Sequence, residues 1–155
     1  MQRCSTLISL FLFLPVLGQS SLDTTPQQES DSVENRSYDL LIQIRGRELT
    51  GLCIMEISAD KQVVGTIVNE FGAKIFDFTY GQGKARVLNV IKPIDKWYIR
   101  RVLRKDMAFI LANRDSQGET TEGKRHLTVG PGGEMAATNR QFKISYTFTP
   151  MNREL

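Results

Sequence analysis

Cysteine and histidine are scarce in this chain, with two cysteines and one histidine in 155 residues. Cys4 lies ahead of an apolar run and is expected to leave with it, so Cys53 stands alone and no internal disulfide is available. A domain without disulfides must be held by its core, and one of this size can bury roughly two thirds of the surface its unfolded chain exposes. His126 has no second imidazole to share a metal and no Ser–His or Cys–His spacing around it, so it reads as a strand or surface histidine. Gly130-Pro131-Gly132-Gly133 lacks the lysine and the strand-to-helix setting of a phosphate loop. Cys53 sits between Leu52 and Ile54, where a free thiol behaves as a small hydrophobe. These absences argue against an enzyme and lead us to expect no metal or cofactor.

Long apolar runs are also lacking. A helix spanning a bilayer needs about 20 apolar residues, and no stretch reaches that. Residues 7–17 are apolar except at Ser9 and Pro15, follow Arg3, and end in Val16-Leu17-Gly18. That is the pattern of a cleavable secretory signal peptide, assigned to residues 1–18, with Gln19 as the new N-terminus. No cysteine follows the cleavage point to accept a lipid. The product is expected to be soluble and exported, in the periplasm or cell envelope. Its formal charge of +3 falls to +2 once Arg3 is removed, too little to argue for nucleic acid.

Residues 19–36 are rich in Ser, Thr, Gln, Asp and Glu and too polar to form a core, so they read as a disordered tether. The triplets Asp23-Thr24-Thr25 and Asp31-Ser32-Val33 and the sequon Asn35-Arg36-Ser37 fit glycosylation acceptors, a pattern common by chance in such segments. Residues 37–155 read as one β-rich domain. Five strands are expected at short spacing over residues 38–91, with Gly51 a bulge or bend in the second. Two more follow at residues 125–129 and 141–149, the last turning Phe142, Ile144, Tyr146 and Phe148 inward. Residues 113–123 and 130–140 read as connections.

One helix is expected, over residues 96–112. Pro93 precedes it, Asp95 is a good N-cap, and Ile94 and Ile99 fit a hydrophobic staple. At 100° per residue Tyr98, Ile99, Val102, Leu103, Phe109 and Ile110 share one face, while Arg100, Arg101, Arg104 and Lys105 lie around the other. Asp106 falls inside the apolar face, where a carboxylate is costly unless paired. A structural partner such as Lys74, Lys92 or Arg45 could pair with it, the helix could be rotated enough to bring it to the rim, or it could project into a ligand cavity. The basic face suggests solvent, anionic head groups or an acidic partner. The fold class is therefore α+β in the order βββββαββ, a strongly curved antiparallel sheet of about seven strands wrapped around one amphipathic helix.

An export signal, a polar tether, a five-stranded meander and a helix with returning strands resemble the half-barrel of bacterial lipoprotein carriers of the Lol type. The pairing of Phe71-Gly72-Ala73-Lys74-Ile75-Phe76-Asp77-Phe78 with Arg101-Val102-Leu103-Arg104-Lys105-Asp106 is similar to small uncharacterised Gram-negative envelope proteins. The likeness spans roughly residues 38–111. It implies a carrier or sensor of lipid or lipoprotein acyl chains, with Phe76, Phe78, Tyr98, Val102, Phe109 and Phe148 lining an apolar cavity. The competing expectation is a structural or adaptor protein of an envelope assembly, with a filled core and a protein partner held at a sheet edge or at the basic helix. The size of any cavity separates the two.

Overall fold

The structure is a computed structural model and describes residues 33–151. The assigned signal peptide and most of the assigned tether lie outside these residues. Among the described residues are nine strands and one α-helix: β1 (Glu34–Ile44), β2 (Arg47–Ile57), β3 (Val63–Asn69), β4 (Lys74–Gly81), β5 (Lys84–Leu88), α1 (Trp97–Asn113), β6 (Gly118–Glu122), β7 (Arg125–Val129), β8 (Met135–Asn139) and β9 (Ile144–Pro150). All nine form one open antiparallel sheet in the order β5-β4-β3-β2-β1-β9-β8-β7-β6. The class is α+β with one helix, but the sheet has two strands more than expected. Both lie in stretches read as connections. Residues 34–36, assigned to the tether, belong to β1.

Period-two burial builds the core. Tyr38, Leu40 and Ile42 of β1, Cys53, Met55 and Ile57 of β2, and Ile144, Tyr146 and Phe148 of β9 all point inward and join one cluster with Met107, Ile110 and Leu111 of α1. A register shift between Ile67 and Val68 breaks the alternation in β4 and lets consecutive Ile75 and Phe76 both be buried. The β1–β2 and β4–β5 hairpins are closed by Arg45-Gly46 and Gln82-Gly83. All four residues have positive φ, as two-residue turns that match the strand twist require.

Gly51 is not a bulge. Its register is continuous with Leu40 on one side and Asn69 on the other. A Cβ there would run into the carbonyl of Val68, so glycine supplies clearance between neighbouring strands. Phe142 precedes β9 and is exposed rather than inward. The helix begins at Trp97, with Lys96 at the N-cap position and no side-chain cap. Asp95 instead ends a 3-10 turn over Lys92–Ile94 and accepts a hydrogen bond from Arg100, so its carboxylate is turned away from the free N–H groups.

Candidate functional site

The helix meets the second half of the sheet through a buried polar cluster centred on Asp106, which is only 2% exposed. Arg125 Nε of β7 donates to its Oδ1 at 2.7 Å, and Asn139 Nδ2 of β8 donates to the same oxygen at 2.8 Å. The Tyr146 hydroxyl of β9 donates to Oδ2 at 2.9 Å. Asn139 also accepts from the backbone N–H of Gln141 (3.2 Å) and Phe142 (3.4 Å), tying the β8–β9 turn to the cluster. Burial and the adjoining Asp106 charge push the Tyr146 phenol well above its ordinary value, so it stays a donor at neutral pH. The space beside these residues is about 10 Å³, no more than the least that a single water needs. An ion pair with neutral donors around it and almost no free space beside it is suited to fixing a helix on a sheet.

Asp106 was expected to pair with Lys74, Lys92 or Arg45, and none of these partners it. Lys74 bonds Asp77 at 2.9 Å, while Lys92 and Arg45 are exposed. The partners come instead from strands beyond the helix. Phe76, Phe78, Phe109, Phe148 and Val102, the candidate cavity residues, are all buried in the core cluster. Tyr98 is not with them; it is 54% exposed and packs edge to face on Trp97, with ring centroids 6.0 Å apart. Arg101, Arg104 and Lys105 are exposed, and among the described residues none of them pairs with a carboxylate. Arg100 is half-buried and held by Asp95.

Cys53 is fully buried in β2, and burial pushes its thiol up to about 12. His126 is half-buried on β7, with Nδ1 2.9 Å from Thr121 Oγ1 and Nε2 3.4 Å from Thr128 Oγ1. Among the described residues the His126 ring is bonded only to these two threonine hydroxyls, with no carboxylate to orient it. Among the described residues no group of three His, Cys, Asp or Glu side chains is placed to hold a metal ion. The larger spaces are on the surface. A wide groove of about 820 Å³ lies where the β1–β2 and β8–β9 turns meet, between Arg45, Glu48, Phe142 and Lys143. Two further open grooves flank the ion pair in which Arg36 Nη1 donates to Asp115 at 2.9 Å.

Arg125, Asn139, Tyr146 and Trp97 were missed as site residues by sequence reasoning. Trp97, the only tryptophan, at the head of a basic helix was the available signal. Compared with protein-family models and with curated proteins, the sequence finds no match, so the functional reading rests on this geometry.

Proposed function

We propose that this chain is an exported, non-enzymatic adaptor protein of a cell-envelope assembly that works through its surface. The observation that carries this reading is the filled space under the helix. Phe76, Phe78, Phe148, Tyr146, Met107 and Ile110 are each no more than 2% exposed. The space beside Asp106 is about 10 Å³, room for one water at most. An acyl carrier of the Lol type would need room there for a chain whose burial yields about 0.8 kcal/mol per CH₂. Here that apolar surface is already satisfied by side chains. The fully buried thiol, a poor nucleophile, favours a binding role over chemistry.

The shape is read as a half-barrel, and one packing relation supports this. α1 contacts β5 at one end of the sheet and β7 near the other. In a flat sheet those strands would lie about 34 Å apart, more than the roughly 26 Å length of a 17-residue helix, which favours a curled sheet. Native mass spectrometry of protein purified from its own envelope in high salt tests the function. The expected mass is that of the polypeptide alone. An acyl chain retained under those conditions would restore the carrier reading and overturn ours.

A further inference from the structure

Large aromatic side chains are left in water at the end of the molecule where α1 begins. Phe71 is 85% and Trp97 75% exposed, and Tyr98 leans on Trp97. Backbone bonds place the segments that carry them at the same end of the sheet. Ile91 N–H donates to Ile75 O at 3.0 Å, beside the β3–β4 turn in which Asn69 Oδ1 accepts from Phe71 N–H at 3.0 Å. The 3-10 turn, with Ile94 N–H to Ile91 O at 3.1 Å and Asp95 N–H to Lys92 O at 3.2 Å, keeps Trp97 close to Ile91. Basic charge runs along the helix from this end. Lys96, Arg100 and Arg104 follow at i, i+4 spacing, and Trp97, Arg101 and Lys105 form the next row. Residues 91–105 hold six basic side chains and one acidic one, Asp95, which Arg100 already occupies.

We propose that this end docks on an anionic lipid bilayer. Phe71, Trp97 and Tyr98 enter the head-group region, and Lys96, Arg101, Arg104 and Lys105 meet lipid phosphates. The proposal rests on the adaptor reading and names one of the surfaces the adaptor joins. The aromatics project from a turn tip and a helix start. A fluid interface accepts projecting rings without a matching pocket, whereas aromatic anchors of protein interfaces sit in packed central pockets. An acidic protein is therefore the less suited partner.

Trp97, as the only tryptophan, reports directly on docking. The protein, purified as its own cell processes it, is mixed with vesicles of phosphatidylcholine alone or with added phosphatidylglycerol. Co-sedimentation and a blue shift of tryptophan emission are expected with the anionic vesicles only, and both should fade as salt rises. Arg101→Glu, Arg104→Glu and Lys105→Glu together should lower partitioning about a hundredfold or more with an unchanged thermal melt. Phe71→Ser should weaken binding and leave its salt dependence in place. No binding to anionic vesicles at low salt would overturn the proposal and leave the face to an acidic protein. Equal binding by the triple variant, or binding without a blue shift, would overturn it as well. Failed docking by a protein whose native mass is lipid-free sinks this proposal alone; an acyl chain inside the domain sinks the adaptor reading instead.

Discussion

Asp106 shows what one residue can carry in a domain of this size. Its two oxygens take three donors from three strands, so its loss strands Arg125, Asn139 and Tyr146 together. Breaking a buried pair costs roughly 3–5 kcal/mol, and the Arg125 side chain, 18% exposed, can turn partly to water. Asp106→Leu is therefore expected near the lower end, about 3 kcal/mol, with a melting temperature lower by about 10 °C. Asp106→Asn keeps an acceptor and should fall between. A melt of Asp106→Leu equal to or above that of the wild type would reassign the position to a ligand cavity. The oddity of a carboxylate on an apolar stripe was legible in the sequence. Its partners were not, because they are fixed by strand registers far along the chain.

Cys53 gives stability a pH dependence. Its thiol, ordinarily near 9.0, is held to about 12 by burial. The folded state thus keeps a proton that the unfolded chain has lost. The stabilisation is complete below pH 9 and declines as pH rises from there toward 12. By pH 10 the loss is about 1.4 kcal/mol. Burial also raises Tyr38 and Tyr146 above their ordinary 10.0, which adds to the decline from pH 10 upward. Thermal melts across pH 8–10 should fall for the wild type and stay flatter for Cys53→Val. Parallel curves would place the thiol in contact with water.

At the scale of elements, what the sequence makes legible depends on whether an element has an apolar face. β1 to β5 carry clear apolar runs bounded by turn signals and were expected, as was α1. β6, Gly-Glu-Thr-Thr-Glu, has no apolar residue at all, because it is a sheet edge packed on no core. β8, Met-Ala-Ala-Thr-Asn, buries only Met135, Ala137 and Asn139, side chains that give little hydrophobic signal. Pattern reasoning took both for loops, and seven strands became nine. Asp95 misled for another reason: the residue type suits a cap, but the 3-10 turn over Lys92–Ile94 sets its backbone and Arg100 claims its carboxylate. Tyr98 and Trp97 share the helix's first turn, before the sheet reaches it. Helical periodicity alone assigned Tyr98 to the core, although the first turn projects past it.

At the scale of the whole molecule, strand order follows the sequence if the chain is read as a ring: β6-β7-β8-β9, then β1-β2-β3-β4-β5. Only the β9–β1 pair joins distant segments, with Tyr38 opposite Pro150 and Ile44 opposite Ile144. Long-range antiparallel pairing slows folding, because loop closure must precede the contacts that reward it. Met151 bonds Ser37, the fourth residue of β1, so a linker of about five residues from Met151 to Val33 would run back along β1 and turn this pair into a hairpin. New termini can be cut between Ser116 and Gln117, which are exposed and lie outside every element. The permutant would run β6 to β9, β1 to β5 and then α1, a plain meander closed by one helix. Its cost is that the Asp106–Arg125 bond becomes long-range, but that is a side-chain contact and not a strand pair. We expect the permutant to fold about tenfold faster in stopped-flow refolding, with a similar melting temperature. An unchanged rate would mean that β9–β1 pairing forms after the barrier, with the two halves of the sheet assembling separately before they join.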